Sequence, residues 1–273
     1  MEILEYEGAK LNYSISGSGE KVMLAFHGFG LEGKHMVPLA EAFGKEYTFF
    51  SFDLFYHGKS FWRSGEAPLT KLEWKEILKA LFAKHDIDRF SLSGFSLGGK
   101  FVLASLEGFP NKVDEIFFIA PDGIKTHIFY SLATYPVAFR KFFKSLIVRP
   151  QRFGGLARTM LKLNLVDKGI IRFAQSQMNT VKKRRRVYYA WVIFRKLKFN
   201  MKRVAYLINQ HDIKVTMYLG RYDKIITQKN MDRLLKKLDD YDLEVIETGH
   251  NDLLNGLAYH LYQRRKPPRT TSP

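Results

Sequence analysis

Apolar runs and amphipathic stretches alternate along the first part of the chain. Residues 10–16 alternate apolar and polar side chains, whereas residues 21–26 form a continuous apolar run, typical of a strand buried on both faces. The other elements predicted in this part are strands 47–53, 88–93 and 113–120 and helices 34–43 and 69–84. Strands that alternate with helices indicate a mostly parallel sheet covered by helices on both sides.

The alternation stops between residues 121 and 212, where no strand pattern is visible and basic amphipathic helices are predicted instead. It then resumes with strands 213–220 and 242–247 and helices 227–238 and 251–263. We therefore predict an α/β fold with a doubly wound, mostly parallel sheet and an inserted all-helical cap. Its predicted parts are a core of residues 1–120 and 213–264, a basic cap of residues 121–212 and a disordered tail of residues 265–273.

One helix of the predicted cap has a clear apolar stripe. The residues predicted to share this face are Phe139, Phe142, Phe143, Leu146 and Ile147. Basic side chains lie on the opposite side of the same helix.

The positive charge of the chain is concentrated in the predicted cap. The net charge is +17, and residues 121–212 hold 20 of the 44 Lys and Arg residues with only three acidic residues. The rest of the chain is therefore electrically balanced, and the cap is the part expected to meet an anionic partner.

Several classes of function are excluded or disfavoured by composition. The chain has no cysteine, which excludes disulfides, thiolate catalysis and Cys-ligated zinc or iron–sulfur centres. No apolar run reaches the length of a membrane-spanning helix, and the acidic N-terminal segment does not resemble a secretory signal. We expect a cytoplasmic protein, with peripheral contact at the inner membrane surface left open.

The strongest chemical signal is the pentapeptide Gly94-Phe95-Ser96-Leu97-Gly98. It lies between a predicted strand and a helical pattern that ends at Gly108, so Ser96 falls in a tight strand-to-helix turn. Such a turn exposes the serine hydroxyl, which makes Ser96 a candidate nucleophile. A glycine-rich turn that contains a serine by chance is the alternative, and the pentapeptide by itself does not exclude it.

Partners for a nucleophilic serine follow other predicted strands. His250 comes directly after the strand at 242–247 as a candidate general base, and Asp223 follows the strand at 213–220 as the group that orients it. Asp122, after the strand at 113–120, is a rival acid. No group of His, Asp and Glu has the spacing of a metal site, so no metal and no cofactor are predicted.

These motifs together resemble the α/β-hydrolase superfamily. The matching segments are His27-Gly28-Phe29-Gly30, Asp53–Ser60, Gly94–Gly98, Gly220–Asp223 and Gly249-His250. The resemblance implies Ser96 as nucleophile, His250 as general base and Asp223 as its partner. It also implies that the backbone N–H groups of Phe29 and Leu97 bind the oxyanion.

Two positions depart from the usual pattern of that superfamily. Tyr56 stands where a glycine is frequent, and the residues after Asp223 lack the frequent proline. Neither departure changes a residue of the expected triad.

The densest basic cluster of the cap is Lys182, Lys183, Arg184, Arg185 and Arg186. A helix capped by Thr180 or Asn179 and continuing to about Phe199 would place these cations at its N-terminus, where the helix dipole disfavours them. A bound anion would relieve this conflict. The cluster is therefore either a solvated face or a contact for a phosphate-bearing lipid, an anionic membrane or an anionic substrate. Nucleic acid is disfavoured because no recognised binding module accompanies the charge.

The sequence thus predicts a serine hydrolase that cleaves a carboxylic ester through an acyl-enzyme, with an apolar acyl group and a lipid or anionic substrate. The first alternative is a protein with little or no catalysis that docks on anionic membranes or nucleic acid through its basic cap. The second is a C–C bond hydrolase, thioesterase or lyase with the same triad. The identity of the substrate and the oligomeric state are left open.

Overall fold

Eight strands form one sheet in the computed structural model, which describes residues 1–63, 65–125, 134, 137–163, 165 and 168–265. The strands are β1 Glu2–Tyr6, β2 Ala9–Ser16, β3 Lys21–Phe26, β4 Tyr47–Phe52, β5 Phe90–Phe95, β6 Val113–Ile119, β7 Lys214–Gly220 and β8 Asp242–Ile246. Their order across the sheet is β1-β2-β4-β3-β5-β6-β7-β8. Strands β3 to β8 run parallel, whereas β1 and β2 pair antiparallel at one edge. The predicted mostly parallel sheet is confirmed.

Helices connect these strands and fill a long gap between two of them. The α-helices with bounds in the described residues are α1 Val37–Phe43, α2 Lys71–His85, α3 Gly98–Gly108, α4 Val137–Val148, α5 Pro150–Lys162, α6 Lys168–Ser176, α7 Val181–Ile193, α8 Met201–Gln210, α9 Gln228–Leu235 and α10 Leu253–Arg265. Helices α4 to α8 lie between β6 and β7 and are called the insertion below. A helical insertion at this place in the chain was predicted, and it is confirmed.

Helix α2 shows how local sequence determines these elements. The Thr70 hydroxyl accepts a hydrogen bond from the Glu73 N–H, and the Glu73 carboxylate accepts one from the Thr70 N–H, which forms a capping box. Thr70 is therefore the N-cap of α2. From this start the helical period places Trp74, Ile77 and Leu81 on the buried side.

Some element boundaries differ from prediction. Helix α7 ends at Ile193 rather than near Phe199, because a 3₁₀ turn over Phe194–Lys196 follows it and the buried Phe194 ring packs edge-on against Phe101 at 5.0 Å. Arg265, expected to lie in the disordered tail, is the last residue of α10. The remainder of that predicted tail, residues 266–273, lies outside the described residues.

The apolar stripe predicted for the helix now labelled α4 is only partly buried. Leu146 and Ile147 are buried, but Phe139 and Phe142 are 47% and 51% exposed. The stripe is therefore covered at the C-terminal end of the helix, and the two rings nearer its N-terminus lie on the surface.

Two clusters of buried side chains form the interior. The larger one follows the sheet and includes Phe26, Phe52 and Phe101, and it also takes in Val204 and Ile208 of helix α8. The smaller one lies within the insertion, and its buried members are Ile147, Met178, Val187, Tyr188 and Val192. No helix in the described part of the chain is long and apolar enough to cross a membrane.

Candidate active site

Ser96 lies in a sharp turn between β5 and α3. Its φ angle is +49°, in the left-handed region that non-glycine residues rarely adopt. The Ser96 carbonyl accepts hydrogen bonds from the N–H groups of Gly99 and Asp122 at 2.9 and 2.7 Å, and the Ser96 N–H donates to the Ile119 carbonyl at 3.0 Å. These bonds hold an unfavourable backbone conformation, as expected for a functional turn.

The glycines on either side of Ser96 are required by close approach. A Cβ atom at Gly94 would lie 2.5 Å from Cγ2 of Val102, and one at Gly98 would collide with the Phe26 carbonyl. Helix α3 therefore packs directly against β3 and β5, and the serine turn lies at the carboxyl ends of these strands.

Ser96, His250 and Asp223 form one continuous chain of hydrogen bonds. Ser96 Oγ lies 3.0 Å from His250 Nε2, and His250 Nδ1 lies 2.5 Å from Asp223 Oδ2. Because an ionised carboxylate can only accept, Nδ1–H donates to Asp223 and Nε2 is left to accept the serine proton. Ser96 and His250 are 154 residues apart in sequence, and the parallel strands bring all three side chains to one edge of the sheet.

The Asp223 carboxylate is fully buried and is compensated by hydrogen bonds. Besides His250, it accepts the N–H groups of Ile225 and Ile226 at 2.7 and 2.9 Å, both on Oδ1. These bonds fix the carboxylate so that Oδ2 points to the imidazole, and they offset the cost of burying a charge. The loops after β7 and β8 are joined beside it by the bond from Tyr222 N–H to the Thr248 carbonyl at 3.0 Å.

The rival acid, Asp122, is engaged elsewhere. Its Oδ2 lies 3.3 Å from Nζ of the buried Lys100, and its Oδ1 accepts the Gly123 N–H at 2.7 Å. The structure therefore brings Asp223, and not Asp122, to His250.

Two backbone N–H groups beside Ser96 are free to bind an anion. Within the described part of the chain, the N–H groups of Phe29 and Leu97 donate to no protein acceptor. A Cβ at Gly28 would lie 3.4 Å from the Ser96 Cβ, so the turn that carries Phe29 lies directly against the serine. Unpaired N–H groups beside a serine hydroxyl are the donors that an oxyanion hole requires.

Buried imidazoles support this turn. His27 donates from Nδ1 to the Gly28 carbonyl at 2.7 Å and accepts the Leu54 N–H on Nε2 at 3.0 Å. Burial lowers the pKa of His27 to about 4 and lowers that of His57 well below its ordinary value. Both rings are therefore neutral at pH 7.

Asp53 has a supporting role that its position in a motif did not reveal. Its carboxylate accepts the N–H groups of Gly33 and Lys59 at 2.8 and 2.9 Å and the side-chain amide of Asn12 at 2.8 Å. It thereby ties the loop after β4 to the loop after β3. No sequence pattern identifies these partners, because they lie up to 41 residues away.

The five cations of the basic cluster differ in their environments. Lys182 and Arg185 are exposed. Lys183 donates to the Ser176 carbonyl, and Arg184 donates to the carbonyls of Ile147 and Met178.

Two of these acceptors lie at helix ends, since Ile147 is in the last turn of α4 and Ser176 is the last residue of α6. Cations are favoured at helix C-termini, so the structure resolves without a ligand part of the conflict inferred at the start of α7. Arg186 is the member that contacts the loop after β3, through the Gly30 carbonyl.

Within the described ranges, no group of three or more His, Asp and Glu side chains has the arrangement of a metal site. The side chains beside Ser96 are instead those of an imidazole and a carboxylate, aligned with its hydroxyl. The absence of a cofactor stays a prediction.

Comparison with known protein families identifies the fold that carries this site. A sequence model of the α/β-hydrolase fold matches residues 21–145, the stretch that carries both the Phe29 turn and Ser96. The chain has the α/β-hydrolase fold. The match ends before Asp223 and His250, whose positions come from the structure.

Relatives of the chain are known from mycobacteria. Proteins of Mycobacterium tuberculosis and Mycobacterium bovis, both named only as uncharacterized, are 26% identical over 132 residues. That stretch is 48% of this chain and 38% of the relatives, so the chain matches well under half of their length.

Several solved structures match nearly the whole chain. An esterase from Thermogutta terrifontis has a TM-score of 0.66 at 15% identity, covering 94% of this chain and 92% of its own. The hydrolase MGS-M2 from a Medee basin deep-sea metagenome library has a TM-score of 0.67 at 15% identity, and the match covers 98% of this chain and 100% of MGS-M2. An enol-lactonase from Burkholderia xenovorans has a TM-score of 0.66 at 12% identity, and the match covers 96% of this chain and 98% of the lactonase. At these identities the likeness is one of fold.

Proposed function

We propose that this protein is a serine hydrolase that cleaves a carboxylic ester through an acyl-enzyme. The observation that carries the proposal is the unbroken chain of hydrogen bonds from Asp223 through His250 to Ser96, next to two unpaired backbone N–H groups. A turn that held a serine only for structural reasons would not require an aligned base, an oriented acid and free donors at one point.

The geometry supports a two-step reaction. Ser96 Oγ attacks the ester carbonyl while His250 Nε2 takes its proton, and the oxyanion that forms accepts the N–H groups of Phe29 and Leu97. His250 then gives the proton to the leaving alcohol, which leaves an acyl group on Ser96. A water molecule, deprotonated by His250, attacks this acyl group, and collapse of the second intermediate returns the proton to Ser96.

Solved structures of the same fold favour an ester as the bond that is cleaved. They include proteins named as esterases, an enol-lactonase and a thioesterase domain. All three names describe attack on an acyl carbon with an oxygen or sulfur leaving group. This is why the proposal ranks an ester or lactone first and a thioester second, ahead of a C–C bond or a lyase reaction.

The direct test replaces the nucleophile. Ser96→Ala is expected to abolish hydrolysis of p-nitrophenyl acetate and butyrate and to abolish labelling by a fluorophosphonate probe, because among the described residues no other hydroxyl is bonded to His250. The matched control is Ser93→Ala in the same strand. Ser93 Oγ is buried and has no hydrogen-bond partner among the described residues, so its loss should leave both readouts unchanged.

Folding of each variant is checked by its thermal unfolding curve. A folded wild-type protein that neither turns over these esters nor takes up the probe would contradict the catalytic proposal. Labelling that persists in Ser96→Ala would contradict the assignment of the nucleophile.

A further inference from the structure

Arg186 reaches from the insertion to the turn that carries Phe29. Its Nη1 donates to the Gly30 carbonyl at 3.2 Å, and its Nη2 donates to Oε1 of Gln177 at 3.0 Å. Its guanidinium carbon also lies 5.6 Å from the centre of the Phe29 ring. Helix α7 thus contacts both the side chain of Phe29 and the carbonyl of the next residue.

Burying this guanidinium costs free energy. Its Nε atom is buried and has no acceptor, and no carboxylate in the described part of the chain forms an ion pair with it. Burial accordingly lowers the pKa of Arg186 from its ordinary value. A half-buried cation held by neutral oxygens contributes little to stability, so its contacts with the turn require another explanation.

Other contacts hold the same turn from both sides. The rings of His57 and Phe29 form a T-shaped pair, with centroids 5.3 Å apart and planes at 90°, so Phe29 is packed against His57 as well as against Arg186. One helical turn after Arg186, the ring of Tyr189 stacks on that of Tyr56, with centroids 4.7 Å apart and planes 7° from parallel. The same side of α7 therefore contacts the loop after β3 and the loop after β4.

Tyr56 supports this interpretation by its backbone. Its φ angle is +64°, in the left-handed region where a glycine would be unstrained, and it is one of the positions that depart from the superfamily pattern. The stacked ring of Tyr189 gives a reason for a tyrosine at a strained position. The insertion of this chain is thus attached to both loops beside Ser96 by side chains that lie outside the expected triad.

We propose that Arg186 is a positioning residue that fixes the Phe29 N–H toward the oxyanion. Oxyanion donors act only when they lie within hydrogen-bond distance of the atom that becomes charged. Gly30, with a φ of +85°, allows the turn to rotate, and the bond to its carbonyl together with the contact on the Phe29 ring removes that freedom. The inference rests on the proposed function, because it assigns Phe29 to the oxyanion hole.

The test compares Arg186→Gln with Arg158→Gln. Arg158 is exposed on α5 and has no ion-pair partner among the described residues, so its replacement removes the same charge from the insertion without touching the turn. Substrates are a neutral ester, p-nitrophenyl butyrate, and an anionic one, the p-nitrophenyl monoester of glutaric acid. We expect Arg186→Gln to lower kcat by about 10- to 100-fold for both substrates, with little change in KM. Arg158→Gln should behave as wild type.

A second readout does not depend on turnover. Hydrogen–deuterium exchange of the peptide that contains residues 28–31 should be faster in Arg186→Gln than in wild type and unchanged in Arg158→Gln. Arg186→Lys keeps the charge but loses the two parallel N–H donors of the guanidinium. Its exchange rate and its kcat should lie between those of wild type and Arg186→Gln.

Three results would overturn the positioning role. The first is an unchanged kcat in Arg186→Gln, and the second is a loss of kcat without faster exchange. The third is a loss of kcat for the anionic ester alone, which would make Arg186 a substrate-binding group. If the wild type has no esterase activity, the proposed function fails, and the exchange comparison still decides whether Arg186 holds the turn.

Discussion

At the scale of single residues, the site depends on two glycines that allow close packing. Gly94 and Gly98 have no Cβ atom, and this alone lets β5, α3 and the serine turn approach one another. Ser96 itself is strained, so its conformation is maintained by neighbours and not by its own preference. The pentapeptide is therefore informative because of its steric requirements, and each of its glycines is a testable part of the turn.

Gly98→Ala should destabilise the protein because the new Cβ meets the backbone of Phe26, which cannot move without distorting β3. The expected loss in the free energy of unfolding is about 3 kcal/mol, measured by urea denaturation. Gly155→Ala is the control, since Gly155 lies within α5 and a Cβ atom there would meet no heavy atom of another element within 4 Å. It should raise stability by up to about 1 kcal/mol through helix propensity. Equal effects of the two substitutions would contradict the steric argument.

At the scale of elements, the carboxyl ends of β5, β7 and β8 each supply one member of the hydrogen-bond chain. Parallel strands place these ends along one edge of the sheet, and the joined loops after β7 and β8 bring Asp223 under His250. The loop after β6 ends in a different arrangement, because its Asp122 is taken up by Lys100 of α3. Two acids with similar positions in the sequence pattern thus have different partners.

The two acids should respond differently to the same substitution. Asp223→Asn is expected to lower kcat by about 10³-fold or more, because an amide cannot accept from His250 Nδ1 and from both backbone N–H groups in the same way. Asp122→Asn should leave kcat within a few-fold but lower the free energy of unfolding by about 2 kcal/mol, since the buried Lys100 loses its carboxylate partner. Ester kinetics and urea denaturation measured on both variants check this. A larger loss of kcat in Asp122→Asn would reverse the assignment.

Most helices and strands could be predicted because their causes are local. The capping box at Thr70 and the continuous apolar run of β3 are complete within a few residues. The errors arose where a distant contact decided the outcome. Helix α7 stops early where Phe194 packs on Phe101. How much of the apolar stripe of α4 is covered also depends on distant contacts.

At the scale of the whole molecule, the positive charge lies in the insertion and part of it is used internally. Arg140 and Lys144 pair with Glu66 of the core, which also accepts the Tyr188 hydroxyl. The remaining charge shares the surface with the exposed rings of Phe139 and Phe142 on α4. Basic side chains next to exposed aromatic rings are typical of a surface that contacts anionic lipid.

Contact with a membrane therefore stays a prediction with a direct test. The protein should float with vesicles that contain phosphatidylglycerol and not with neutral phosphatidylcholine vesicles, and added salt should release it because screening weakens the attraction. Replacing both Phe139 and Phe142 by serine should reduce flotation. Tyr259→Ser is the matched control, since Tyr259 is also exposed but lies on α10 of the core. Binding that is insensitive to salt and to lipid charge would contradict the prediction.

The sequence by itself determined the alternation of strands and helices, the helical insertion and the candidates Ser96, Asp223 and His250, because periodicity, turn residues and chain order can be read without knowing which distant residues meet. The tertiary structure decided which acid meets His250, which cations of the basic cluster bind carbonyls and which one reaches the Phe29 turn. These outcomes depend on contacts between residues that are far apart in the chain, such as Arg186 and Gly30, and only the folded sheet and its insertion bring such residues together.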